Sequence, residues 1–115
     1  MSMAAKRRKR VKRNEDGSME ALAFLENLDG PLTFGRMIWA IRESEEISQA
    51  DFAKQLGVAP GHLCDIEKGR RMVSAERAAR WARELGYPEA FFVKLALQAE
   101  VDAAGLKLEV AVQTA

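Results

Sequence analysis

The side chains able to do covalent or metal chemistry are few in this chain. It has one histidine, His62, and one cysteine, Cys64. A metal role for His62 would need further ligands that the nearby sequence does not supply. No Gly-rich loop is placed to cradle a phosphate group, and no nucleophile has a plausible base beside it. These residues argue against an enzyme and require no cofactor. What the chain has in quantity is positive charge, unevenly placed. Lys6, Arg7, Arg8, Lys9, Arg10, Lys12 and Arg13 hold seven of the eighteen basic side chains. A second group, Lys68, Arg70 and Arg71, stands in the middle of the sequence. Clustered cations of this kind neutralise phosphates and release counterions, the main source of nucleic-acid affinity.

The net charge of +1 conceals the asymmetry. Outside residues 6–13 the chain carries eleven basic against seventeen acidic groups, a net of −6. The expectation is an acidic body with its positive potential concentrated in an arm. The arm is basic but lacks the apolar stretch that follows the n-region of a secretory signal. No apolar run approaches the roughly 18 residues of a membrane span. A single cysteine excludes an intramolecular disulfide framework and suits a reducing cytosol, so a soluble cytoplasmic protein with no membrane partner is expected.

The elements that would position the central cations lie between Ser48 and Arg71. Phe52, Ala53, Leu56, Val58, Leu63 and Ile66 form two short amphipathic patterns separated by Leu56-Gly57-Val58. One helix ending at Gly57, then another from about Pro60 to Lys68, make a helix-turn-helix, whose second helix enters the major groove of DNA. With Leu63 and Ile66 turned inward, a rotation of about 100° per residue turns Gly61, Cys64, Asp65 and Lys68 outward.

The rest of the chain falls into order around that motif. Residues 1–17 have no hydrophobic period and read as a disordered basic arm. Residues 18–30 read as a short accessory helix, capped by Ser18, with Leu22, Phe24, Leu25 and Leu28 apolar. Residues 31–104 read as the helix-turn-helix domain. In it, Thr33 starts a helix with Phe34, Met37, Ile38 and Ile41 at i, i+3, i+4 and i+7. Arg36 and Arg42 take its polar side, and Trp39 lies off the stripe as a second packing face. Ser74 caps a helix over 75–85, with Ala75, Ala78, Ala79, Ala82 and Leu85 on one face and Gly86 ending it. A last helix runs from Pro88 to about Ala104. Its apolar arc extends from Phe92, Leu95, Ala96 and Ala99 to Phe91, Leu97, Val101 and Ala104, wide enough for burial on two sides. Residues 105–115 read as a C-terminal strand, with Leu106, Leu108, Val110 and Val112 on one face. Such a strand needs a partner, either a second copy or another protein's sheet. The expected fold is therefore all-α, a compact bundle of four to five helices, with one appended β-strand and the basic arm.

The segment from about Leu32 to Leu85 resembles the helix-turn-helix family of the phage repressors and Cro proteins. Gln49 stands at the start of the first motif helix and Phe52-Ala53 lies within it. Leu56-Gly57-Val58 makes the turn, Leu63 and Ile66 anchor the second helix, and Glu67-Lys68-Gly69 closes it. The resemblance implies base-reading side chains at Pro60, Gly61 and Asp65, with Ala59 at the N-cap. Proline suits the first helical turn, because its missing N–H would be unpaired there anyway. Neither Pro60 nor Gly61 offers the fork that reads adenine or guanine. Asp65 can accept from cytosine N4 or do no more than bond Arg70 or Arg71. Direct readout is thus thin, resting on His62, Asp65 and Lys68. Lys68, Arg70 and Arg71 are the expected phosphate contacts of the body, joined by Gln49 at a helix start.

The resulting expectation is a dimeric DNA-binding regulator, most simply a repressor on double-stranded DNA. Its arm would lie on phosphates or in the minor groove. Leu97, Val101, Leu106, Leu108, Val110 and Val112 would join two copies or hold a partner. The resemblance adds a second role, that of an antitoxin binding a toxin protein through its C-terminal region. An arm that binds RNA, an anionic membrane or an import receptor, or that only aids solubility, is also compatible with residues 6–13.

Overall fold

Three helices begin in the same way, with a hydroxyl closing the first turn. Thr33 Oγ1 accepts from the Arg36 N–H at 3.2 Å, Ser48 Oγ from Asp51 at 3.0 Å, and Ser74 Oγ from Arg77 at 3.1 Å. Each satisfies one of the amide donors that a helix N-terminus leaves open. These caps appear in a computed structural model that describes residues 30–115. The helices are α1 (Phe34–Ser44), α2 (Gln49–Leu56), α3 (Pro60–Glu67), α4 (Ala75–Leu85) and α5 (Glu89–Ala103). The basic arm at 1–17 and the accessory helix expected at 18–30 lie outside the described residues, save Gly30.

The terminators are equally local. Gly57 after α2 and Gly86 after α4 take left-handed conformations, at φ 79° and 82°. The turn and cap expected at these two positions are both present, for the reason that glycine alone enters this region without a Cβ penalty.

The core joins all five helices. Met37, Ile38 and Ile41 of α1 meet Phe52, Ala53 and Leu56 of α2, Leu63 and Ile66 of α3, and Phe92 and Leu95 of α5. Its largest fully buried side chain is Trp81, which the alanine stripe of α4 does not announce. The indole is fully buried, and its Nε1 donates to the Leu56 carbonyl at 3.1 Å. That bond supplies the polar partner a buried tryptophan requires and ties α4 to the end of α2. Phe34 stacks on the same indole at 6.4 Å and meets Phe92 edge-on at 5.9 Å. Tyr87 in the α4–α5 turn packs 5.7 Å from Phe92. On α4 the inward face is Ala78, Trp81, Ala82 and Leu85, while Ala75 and Ala79 are half-buried.

Gly35 brings α1 close to the motif. A Cβ at this position would overlap the carbonyl oxygen of Ile66 and crowd that of Glu67. The α1–α3 approach therefore needs a residue without a side chain in the first turn of α1.

The expected C-terminal strand is not formed. Residues 106–115 have no regular secondary structure, and no strand occurs among the described residues. The tail instead folds back along α5. Leu106 N–H donates to the Val101 carbonyl at 3.3 Å. Gln98 then supplies what a neighbouring strand would. Its Oε1 accepts from the Val110 N–H at 2.7 Å, and its Nε2 donates to the Leu108 carbonyl at 2.8 Å. One side-chain amide serves only the groups flanking Glu109, so the alternation of 106–112 has backbone pairing at a single point. The pattern in the sequence is real, but a ladder needs a second backbone.

Candidate nucleic-acid interface

The interface is organised by α3 and by what holds each of its ends. At its C-terminal end, Glu67 is nearly enclosed, with its side chain 4 % exposed. Arg42 of α1 reaches it with both Nε, at 2.7 Å, and Nη2, at 3.1 Å. The same guanidinium donates from Nη1 to the Ile47 carbonyl at 3.0 Å. Gln49, the first residue of α2, donates from Nε2 to Glu67 Oε1 at 3.0 Å. One carboxylate thus fastens α1, α2 and α3 together through charge-assisted bonds with fixed fork geometry. Its partners were legible only as separate polar residues, because Arg42 and Glu67 are 25 positions apart.

At its N-terminal end α3 is bare. Ala59 is the N-cap and makes no side-chain bond, Pro60 occupies the first turn, and Ala59, Pro60 and Gly61 are exposed. A Cβ at Gly61 would meet nothing within 4 Å. The surface offered here to a groove is backbone and a few aliphatic carbons.

The expected site residues distribute as follows. Leu63 and Ile66 are buried, which turns Gly61, Cys64, Asp65 and Lys68 toward the opposite side of the helix. Asp65 is engaged: its Oδ1 accepts from Arg70 Nε at 3.1 Å and Nη2 at 2.9 Å. Of the two roles open to it in the sequence, the bond to Arg70 is the one present. Lys68 and Arg71 are exposed, and Gly69 between them takes φ 79°. His62 is half-buried. Partial burial, then the charges of Arg71 and Arg77, hold its pKa below the ordinary 6.5, against the opposing pull of Asp65. A neutral imidazole at pH 7 beside two arginines follows. Arg77, on the first turn of α4, also lies over the Trp81 ring at 5.8 Å.

Lys6, Arg7, Arg8, Lys9, Arg10, Lys12 and Arg13 lie outside the described residues. Of the residues expected to meet a partner, Leu97, Val101, Val110 and Val112 are half-buried, whereas Leu106 and Leu108 are 51 % and 62 % exposed. Among the described residues no cluster of three or more His, Cys, Asp or Glu side chains could hold a metal ion. No helix among them is long and apolar enough to cross a membrane.

A family model described as helix-turn-helix matches residues 40–92, which run from the middle of α1 into α5. Searches of curated proteins and of solved structures returned no match. The matched span contains the α2–turn–α3 unit, its left-handed Gly57 and the buried Leu63 and Ile66 that set the outward face of α3. The match at residues 40–92 supports a helix-turn-helix domain of the Cro/C1 type, the kind found in DNA-binding transcriptional regulators.

Proposed function

We propose that the protein is a dimeric repressor that occludes its operator. The observation that carries this reading is the contrast on α3, whose reading turn is bare while its far end is followed by exposed cations. Lys68, Arg70 and Arg71 would hold phosphates, with Gln49 contributing its second amide N–H and the open N-terminus of α2. His62 borders this face. Gly61 would let backbone approach the groove, and Asp65 would orient Arg70 rather than read a base. The arm at Lys6–Arg13 would supply much of the affinity, on phosphates or in the minor groove. Two copies would meet through the outer side of α5, at Leu97 and Val101, and the tail that carries Leu106, Leu108, Val110 and Val112. Their recognition helices would then address major-groove faces about one helical turn apart.

Selection of bound fragments from random double-stranded DNA, with and without residues 1–13, tests this reading. A recovered palindromic site with half-sites about 10 base pairs apart supports the dimer. Loss of the arm should flatten the salt dependence by several units, at about 0.9 per phosphate contact. Recovery of no preferred sequence would refute a specific repressor.

The exposed Leu106 and Leu108 also favour a second reading, an antitoxin whose tail is covered by a toxin protein. Expression with the neighbouring genes distinguishes the two. A co-purifying small protein lost in a Leu106→Ser/Leu108→Ser variant supports the antitoxin; a homodimer dissociated by that variant supports the repressor alone.

A further inference from the structure

The tail that follows α5 is held along one side. Gly105, at φ 76°, turns the chain back, and the Leu106 N–H closes the turn on the Val101 carbonyl. Beyond the turn a single side chain holds it. Gln98 Oε1 accepts from the Val110 N–H, and Nε2 donates both to the Leu108 carbonyl and to Asp102 Oδ1. Asp102 takes the amide hydrogen that the tail does not use, which leaves the Gln98 amide one orientation toward the backbone.

Those two backbone bonds determine what the other side of the tail offers. Where a chain pairs in a ladder, the C=O before a residue and the N–H after it face one neighbour. The residue's own N–H and C=O face the opposite one. Gln98 takes the two groups that flank Glu109, so the groups of Glu109 itself are left for the outer side. The same alternation assigns those of Lys107 and Ala111 to that side. Among the described residues no hydrogen bond engages the backbone of these three. Their side chains are exposed, as are Leu106 and Leu108. The tail is an edge with one side taken and the other open, and such an edge is completed by another backbone.

The side chains on that edge select the occupant. In a two-fold antiparallel pair centred on Leu108, Lys107 of each copy stands opposite Glu109 of the other, and both are hydrogen-bonded pairs of the open side. Leu108 meets Leu108, and Leu106 stands opposite Val110. Moving the centre by one residue sets Glu109 against Glu109 or Lys107 against Lys107, and like charges directly opposite are unfavourable. The tail is therefore complementary to itself in one register. We propose that two copies of this chain join by antiparallel pairing of their tails about a two-fold axis at Leu108. Gln98 holds each tail in place beforehand, so less freedom is lost on association. The single chain forms no strand, because the second backbone completes the ladder. The inference rests on the dimer reading above and assigns its contact and register.

A charge swap in the full chain tests the pairing by sedimentation equilibrium. Lys107→Glu sets Glu against Glu at two places and should weaken the dimer about tenfold. The double variant Lys107→Glu/Glu109→Lys restores both pairs and should recover the native affinity, which a packing defect would not do. Gln98→Ala should also weaken the dimer. Thermal melts of each variant establish that it is folded. Cross-linking reads the register, with Cys64→Ser removing the one native thiol. Opposed residues of a non-hydrogen-bonded pair have Cα atoms about 4.5 Å apart, within reach of a disulfide. Leu108→Cys should therefore give a disulfide-linked dimer on mild oxidation, and Glu109→Cys, diagonal to its copy, should not. If the native chain is a dimer while the charge swap leaves its affinity unchanged and Leu108→Cys does not cross-link, the copies meet elsewhere. The tail pairing is then overturned and the dimer reading stands. Cross-linking through Glu109→Cys but not Leu108→Cys would overturn the register. A native chain that stays monomeric at every concentration reached would remove the dimer reading together with this one.

Discussion

The two ends of the recognition helix are built on opposite principles. At its C-terminal end, Ile66 and Glu67 lie against Gly35, Ile66 is buried, and the nearly enclosed Glu67 carboxylate is bound by Arg42 and Gln49. At its N-terminal end, Ala59, Pro60 and Gly61 are exposed, uncapped by any side chain and free of neighbours at the Gly61 position. The difference separates two tasks that one short helix performs. The packed end fixes where α3 points; in the DNA-binding reading proposed above, the bare end would leave recognition to backbone, shape and flanking phosphates. A helix of eight residues has little of its own stability, so its orientation must come from tertiary contacts at one end.

Breaking the packed end should therefore cost most. Glu67→Ala leaves a largely enclosed guanidinium without its carboxylate and should destabilise the fold by about 3 kcal/mol, read from urea unfolding midpoints. Gly35→Ala comes next. Alanine is the better helix former by about 1 kcal/mol, but overlap with the Ile66 carbonyl should outweigh that and give a net loss of about 2 kcal/mol. An unchanged melting temperature in Gly35→Ala would mean that α1 and α3 separate without cost. The same substitution at the bare end should have the opposite sign. Gly61→Ala should stabilise by about 0.5 kcal/mol, since it restricts the unfolded chain and meets no neighbour. Gly61→Gln should leave stability near the native value and shift the selected DNA sequences toward adenine at one position, by supplying the missing fork.

Smaller effects test the outward face. Asp65→Ala should change stability by no more than about 0.5 kcal/mol, because its pair with Arg70 is exposed to solvent. His62 should contribute a modest pH dependence. Its folded pKa lies below 6.5, so the unfolded chain binds the proton more readily. The contribution is complete above pH 6.5 and is lost as the pH falls through the folded value. Melting curves between pH 7.5 and 5 should show this slope, and His62→Gln should remove it.

Much of the scaffold was readable from local pattern. The periods of Phe34–Ile41 and Phe52–Leu56, the hydroxyls at Thr33 and Ser74 that start their helices, and the glycines at 57 and 86 are signals within a few residues of the structure they produce. Trp81 was not readable, because its role depends on a carbonyl 25 positions away. The same distance hid the Arg42–Glu67 pair. The strand expected at 106–112 failed for a related reason. Alternation describes which way side chains would face in a sheet, whereas Gln98, on the preceding helix, decides that this backbone is met by a side-chain amide instead.

By itself, the sequence determined the helix-turn-helix, its inward residues and the two groups of cations, because period, capping and charge act over single turns. The tertiary structure alone decided that Gly35 must lack a side chain, that Asp65 is bound to Arg70, and that Gln98 holds the tail at Leu108 and Val110. Those outcomes depend on which distant elements come within a few ångströms of one another, and that is set by the packing of the whole core.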